Sequence, residues 1–527
     1  PVTGPALFSW SEIVPELQSA PTPTLTAAPR AVIPQAVWGD FEQTVVRNSG
    51  STGGDAVFAI QRYVSGALRA ELPSTIHFAN GQLKGSIFYN SYGTNLVKNF
   101  GNTRGGKSFG AATLQVAPNG TSPTVVVGYN DATNSGAGCR VCHNASSGGT
   151  KLLSNSYLTN GNSGSATSTT SWTYNPSLGT PAAIQGSETL VGTTYASNKF
   201  TYAALSPDGS YLMTSAAPQS SNAAASLFTV GGTAMTSNAP AGLHAATPVF
   251  AHDASAVAFN FYSGSASPLS TATGDGKSLA VMNFMPPATF SNFRTLYTPA
   301  AGVAAYAAWP TFLPPGQNGV VFQNEITVNG RDWAGTRSTC DGTGTCNNIG
   351  ATGDLWWVNT SGAAQAVRLA NMNGGAYMPR SAAGANYHGT SAQNATYYEE
   401  VFNYEPASLP VTIGGYSWVA FTSRRLYGNV ATVNPYWSDP RYQDISVQPT
   451  TKKIWIAAIS PNPTAGTDPS FPAFYLPGQE LLAGNSRAYF TLAACEAAGA
   501  RTAANVCTSN LDCCGATASP ATAACQL

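Results

Sequence analysis

Apolar residues in this chain fall in short runs that Gly, Pro, Asn and Asp interrupt, and a 3.6-residue period is scarce from about residue 76 onward. The clearest unit is LSPDGSYLMTS at 205–215. It is an apolar run, a tight turn on Pro207, Asp208 and Gly209, and a second apolar run, the pattern of an antiparallel strand pair. Variants recur as ASSGGTKLLSNS at 145–156, FAHDASAVAFNF at 250–261, FLPPGQNGVVFQNE at 312–325 and RSAAGANYHGTS at 380–391. A divergent copy is IHFANGQLKGSIFYN at 76–90. Third strands are expected at KSLAVMNF (277–284), DLWWVNTS (354–361) and KKIWIAAIS (452–460). A strand pair that returns every 45–70 residues or so, each followed by further strands, predicts an all-β chain folded as a β-propeller. The count is six blades, or seven if the long module at 376–480 divides. The expected organisation is an extended Pro-rich arm at 1–37, the propeller at 38–480 and a Cys-rich tail at 481–527.

The SPDG unit resembles the blades of TolB/PD40-type β-propellers of exported bacterial proteins, over roughly residues 76–480. The match is close at 205–215 and degenerate in the other copies. The resemblance implies the propeller fold. It transfers no biochemical role.

Composition narrows the function classes. Charged residues are 9% of the chain, and 24 basic residues balance 24 acidic ones. A chain with no net charge offers no electrostatic footprint for nucleic acid or an anionic membrane, and little self-repulsion between copies. There is no apolar run of the roughly 18 residues that a transmembrane helix needs. The sequence starts at Pro1 without a basic or apolar leader, so it is read as a mature exported chain. Nine cysteines fit an oxidising compartment: secreted, cell-surface or periplasmic. Cys340 and Cys346 flank a short Gly/Thr loop and are expected to pair. Cys495, Cys507, Cys513, Cys514 and Cys525 staple the tail, and the odd total leaves one thiol free, bridged between chains or otherwise used.

A candidate site lies in SGAGCRVCHNASS at 135–147. Cys139, Cys142 and His143 form C-x-x-C-H, the attachment signature of c-type haem: two thiols add to the haem vinyl groups, and the next residue presents an imidazole to the iron. Nine cysteines and five histidines in 527 residues give a chance expectation of about 0.0015 such motifs per chain. A local Cys139–Cys142 disulfide is the alternative, and it leaves the His unexplained. His143 lies three positions before Ser146, the residue that starts the repeat's turn. The haem motif therefore falls on the strand entering a blade's turn, and one covalent haem c is expected where the blades converge.

The same frame proposes the second iron ligand. His77 lies three before Asn80 in the divergent first copy, which sets it at the level of His143 on a neighbouring blade. Met378, three before Ser381, is the alternative. His244, His252 and His388 are read as surface or turn histidines, and Met282 and Met285 as core. Glu400 and Glu405 point to opposite faces of a strand and make a poor acid/base pair. Arg424 and Arg425 are read as a solvated turn. No G-x-S-x-G, H-E-x-x-H or P-loop pattern occurs. The function expected is outer-sphere electron transfer with a redox partner protein or another cytochrome. A self-assembling extracellular structural or filament protein and a haem oxidoreductase with an open distal site are the other readings.

Overall fold

The computed structural model describes residues 35–492, apart from 157–169, 175–193, 196–202, 215–224, 263–276, 327–351, 375–402, 424–451 and some shorter stretches, Cys139 among them. A short N-terminal unit comes first. Helix α1 (Gln35–Arg47) is followed by β1 (Gly54–Phe58), β2 (Gln61–Val64), β3 (Ala67–Ala70) and β4 (Ser74–Phe78). β1 pairs with β4, and β2 with β3. The indole of Trp38 in α1 lies 6.2 Å from Phe58 and 5.1 Å from Phe78.

Antiparallel sheets follow one another along the rest of the chain. The first contains β5 (Ser86–Thr94), β6 (Phe100–Thr103), β7 (Lys107–Val116) and β8 (Thr124–Val127). The second contains β9 (Arg140–Ala145), β10 (Leu152–Ser156), β11 (Thr170–Tyr174) and β12 (Thr194–Tyr195). A three-stranded sheet of β13 (Ala203–Leu205), β14 (Tyr211–Thr214) and β15 (Leu227–Thr229) comes next. The fourth is β16 (His244–Phe250), β17 (Ala256–Tyr262), β18 (Ser278–Met285) and β19 (Thr289–Tyr297). The fifth is β20 (Ala305–Phe312), β21 (Val320–Ile326), β22 (Thr352–Val358) and β23 (Ala366–Arg368), after which comes the short helix α2 (Ala370–Asn373). The sixth is β24 (Asn403–Ser408), β25 (Ser417–Ser423), β26 (Lys453–Ile459) and β27 (Phe474–Tyr475). The last strand, β28 (Gly484–Thr491), returns to pair with β5.

Strands β9, β13, β16, β20, β24 and β28 each touch the next in that order, and β28 touches β9. They are the inner strands of a closed ring, which makes the molecule a β-propeller. Five of its sheets carry four or more strands and one carries three.

The core explains why the strands are apolar throughout rather than alternating. Each blade is sandwiched between two others, so both of its faces are buried. In β17, Val257 and Phe259 join the cluster shared with the three-stranded sheet, while Ala256 and Ala258 join the cluster shared with the fifth blade. In β26, Ile454 and Ile456 face the first blade, and Trp455, Ala457 and Ile459 face the fifth. The period of two is present in the structure, but it separates one neighbour from the other rather than core from water.

The expected hairpins at 145–156, 205–215, 250–261 and 312–325 are the inner pairs of their blades. Two copies are corrected. In 76–90, β4 and β5 do not pair: β4 lies in the ladder with β1, and β5 lies in the first blade. The sixth blade's inner pair is β24–β25, not 380–391, a stretch outside the described residues. The propeller also runs past residue 480, because β28 supplies the inner strand of the first blade. Helix α1 starts inside the expected arm. All the cysteines expected to form disulfides lie outside the described residues.

The closing strand is held from the sixth blade as well. Lys453, fully buried at the start of β26, donates from Nζ to the carbonyl of Ala483 at 2.5 Å. Truncation after residue 483 removes the pairing on the inner edge of β5, and is expected to abolish cooperative thermal unfolding measured by circular dichroism. Adding a peptide of residues 484–492 is expected to restore part of the transition. Burial also lowers the Lys453 ammonium from 10.5 to about 7. Between those values the unfolded chain holds the proton and the folded chain does not, so this group makes stability rise with pH. Lys453→Met is expected to gain most over wild type below pH 7, with the gain shrinking toward pH 10.5, measured by urea unfolding.

Candidate functional site

Five of the six inner strands share a local irregularity. In β16 the register slips between Ala246 and Val249, so that Thr247 and Pro248 oppose one residue of β17. The same slip sets Trp309 and Pro310 in β20, Glu405 and Pro406 in β24, and Arg487 and Ala488 in β28. The first residue of each pair has a left-handed backbone, with φ of 45° at Thr247, 48° at Trp309, 53° at Glu405 and 52° at Arg487. Such conformations cost non-glycine residues about 1–3 kcal/mol each and persist where surrounding structure enforces them. Proline suits the second position, since a bulge leaves one amide out of the ladder.

Strand β9 carries the same slip. Asn144 pairs with Leu153 and Val141 with Asn155, which leaves Cys142 and His143 opposite Ser154. The second cysteine and the histidine of the C-x-x-C-H motif are therefore the bulge pair of the second blade, in register with Thr247–Pro248, Trp309–Pro310, Glu405–Pro406 and Arg487–Ala488.

The bulge residues of the other blades meet near the propeller axis. The Thr247 hydroxyl accepts from the backbone N–H of Trp309 at 3.0 Å. The Arg487 guanidinium lies 3.9 Å over the Trp309 ring and 5.3 Å from that of Tyr489. Its Nε donates to Tyr489 Oη at 2.6 Å, and Asn144, next to His143, donates to the same oxygen at 3.0 Å. Glu405 Oε2 accepts from the Arg487 backbone N–H at 2.9 Å and from Thr422 Oγ1 at 3.2 Å. Burial pushes the Glu405 carboxyl upward, opposed by the charges of Lys452 and Arg487. Asn144, Thr247, Trp309, Glu405, Arg487 and Tyr489 line a cavity of about 50 Å³. That is room for a few waters and far too little for a macrocycle.

The two faces of the propeller differ. On one, tight turns join the first two strands of each blade, as at 146–151, 206–210 and 251–255. On the other lie the starts of the inner strands and the ends of the second strands. The C-x-x-C-H strand begins on this second face.

His77 stands elsewhere. It lies in β4, in the ladder with β1, outside the blades. Its Nδ1 is 2.6 Å from Asp55 Oδ1, and its Nε2 is 3.2 Å from Tyr416 Oη. The repeat frame that set it level with His143 does not hold, because β4 is no inner strand. Met378, His388, Arg424 and Arg425 lie outside the described residues. Met282 is in the core as expected, whereas Met285 is 62% exposed at the end of β18.

His252 is at a turn, as expected, but its ring is turned inward. Nδ1 is 2.9 Å from Ser147 Oγ, and Nε2 is 3.1 Å from the Phe312 carbonyl. A carbonyl only accepts, so Nε2 carries the proton and Nδ1 accepts from the serine. Burial lowers this imidazole to about 4 and keeps it neutral. It ties the second, fourth and fifth blades together at the tight-turn face.

Glu405, set aside in the sequence, and Thr247, Trp309 and Arg487, which it did not single out, are the axial residues. A signal existed: Thr-Pro, Trp-Pro and Glu-Pro at 247, 309 and 405 each fall inside an inner strand. Among the described residues no group of three or more His, Cys, Asp or Glu could hold a metal ion, and no helix is long and apolar enough to cross a membrane.

No family model and no curated protein matches the sequence. Solved structures match by fold. A TolB protein from Agrobacterium tumefaciens is 12% identical over 55% of this chain and 89% of its own, with a TM-score of 0.29. A 6-phosphogluconolactonase from Bacteroides uniformis is 12% identical over 76% of this chain and 85% of its own, with a TM-score of 0.33. Prolyl oligopeptidase B from Galerina marginata is 11% identical over 72% of this chain and 44% of its own, with a TM-score of 0.32. The strand topology described above makes this chain a β-propeller.

Proposed function

We propose that this protein is an exported electron carrier holding one covalent haem c on Cys139, Cys142 and His143. The observation that supports this most is the register of β9: Cys142 and His143 are the bulge pair at the position that four other blades use to present axial residues. The donor set fits the group. Two thiols spaced two residues apart serve the vinyl carbons, and the following imidazole serves the iron. Bound there, haem c supplies one-electron iron chemistry.

The chain's residues would do the rest. The cavity of about 50 Å³ on the tight-turn side is too small for the macrocycle, which would lie on the side where β9 begins. Asn144 links the haem strand to the Tyr489–Arg487–Trp309 group, so the axial network holds the bulge from behind. Outer-sphere transfer needs a buried cofactor of set potential and no acid or base. His77, engaged by Asp55 and Tyr416, is not retained as the distal ligand.

The test is the spectrum. The purified protein is expected to give a c-type pyridine haemochrome and a mass gain of one haem, both lost in Cys142→Ser. A chain that gains no haem when expressed with a haem-attachment system overturns the proposal. A low-spin iron that refuses CO and cyanide identifies the carrier; rapid binding of either favours a haem oxidoreductase. His77→Ala is expected to leave the haem spectrum unchanged.

A second reading, self-association, is favoured by Val57 and Leu68, which are 69% and 62% exposed on the two short N-terminal ladders. Light scattering after size exclusion is expected to show concentration-dependent oligomers that Val57→Lys with Leu68→Lys disperses.

A further inference from the structure

Glu405 brings a carboxyl to the propeller axis, where the residue is 4% exposed. The bulge in β24, with φ of 53° at Glu405, sets it there. Both hydrogen bonds to the carboxyl fall on Oε2, from the Arg487 N–H at 2.9 Å and from Thr422 Oγ1 at 3.2 Å. Among the described residues no donor bonds Oε1, so that oxygen is left for a proton.

The groups around the carboxyl pull against one another. Burial favours the neutral acid, while Lys452, just ahead of β26, and Arg487 of β28 favour the carboxylate. Tyr489 of β28 faces it as a phenol that burial keeps protonated. From β21, Gln323 accepts the Glu405 backbone N–H at 3.0 Å and donates to Glu325 at 3.2 Å. His252, on the same cavity, is held neutral by burial. A carboxyl set between opposing influences changes its protonation when one more charge is placed nearby.

The haem strand is the neighbour that can supply that charge, and the inference rests on haem being attached there. Asn144, which follows His143, lines the same cavity as Glu405, a space for a few waters. Asn144 also donates to Tyr489 Oη, the oxygen that Arg487 Nε reaches. Asn144, Glu405 and Arg487 are all buried, so little solvent screens a charge change between the two sides of the cavity. We propose that Glu405 takes up a proton when the haem is reduced, so that the site moves an electron and a proton together. The electron comes from the redox partner. The proton comes from solvent and ends on Glu405 Oε1; oxidation returns both. Reduction adds negative charge beside the carboxyl and favours its neutral form. The reduction potential therefore falls as pH rises between the carboxyl's titration points in the oxidised and reduced protein, and is level outside that window.

The test is a potentiometric titration of the full-length, haem-loaded protein at a series of pH values, with wild type and Glu405→Gln side by side. The wild-type potential is expected to fall with pH by up to about one proton per electron. Glu405→Gln is expected to lose that fall and keep only the slope that other groups give both proteins. Equal slopes in the two proteins overturn the proposal while leaving the haem reading intact. A chain that gains no haem fails earlier, at the haemochrome, and overturns both. If Glu405→Gln fails to fold, the wild type decides by infrared difference spectra, reduced minus oxidised, with isotope-labelled glutamate to separate side-chain carboxyls from haem propionates. A label-shifted protonated-carboxyl band that appears on reduction is the expected result, and its absence overturns the proposal.

Discussion

Everything in this fold depends on one antiparallel pairing, that of β28 with β5. A propeller of open sheets is a curved stack with two exposed faces, and only a bond between its ends makes it a ring. Here the ends are joined in the middle of a blade: the first blade takes its inner strand from residues 484–491 and its other strands from residues 86–127. The apolar cluster at that seam draws on β5, β7, β25, β26 and β28 together, so loss of the pairing exposes an interior surface rather than a loop. Lys453 crosses the same seam, carrying a buried amine to a carbonyl just ahead of the closing strand.

Closure alone gives a tube; the bulges give it contents. A regular strand running along the axis would alternate its side chains between two neighbouring blades. The slip in five of the six inner strands departs from that alternation at one level, and in four of them it brings a residue to the centre. The strain at Thr247, Trp309, Glu405 and Arg487 is balanced by what they meet there: a hydroxyl for an amide, a guanidinium on an indole, a carboxylate on a backbone N–H. In these four blades the chemical character of the axis is thus decided by one residue each, and the rest of the strand is free to serve packing.

The sequence displayed the blades better than the axis. Turn chemistry is local, so SPDG at 206–209 and its relatives identified four inner hairpins, and runs such as KKIWIAAIS betrayed strands buried on both faces. The ends of the ring were hidden for the opposite reason. That β4 leaves the repeat and β28 joins it is settled by pairing across almost the whole chain, which no local pattern encodes. The frame that set His77 level with His143 does not hold, since β4 pairs with β1 outside the blades. The C-x-x-C-H motif was legible because its chemistry is local too. Its position in a bulge was not, although the proline after Thr247, Trp309 and Glu405 marked the equivalent places: proline inside an inner strand has no amide to give to a ladder. Arg487 carries no such mark, since alanine follows it.

The hydrogen bond between Asn144 and Tyr489 joins residues 345 positions apart. Asn144 adjoins the C-x-x-C-H strand's bulge; Tyr489 belongs to the strand that shuts the ring. During synthesis the first is delivered long before the second, so the chain passes through a long interval in which C-x-x-C-H is out and the axis is still open. The molecule thereby has a built-in order of assembly: whatever must be fitted around the start of β9 can be fitted with free access, and the last strand to arrive locks it in.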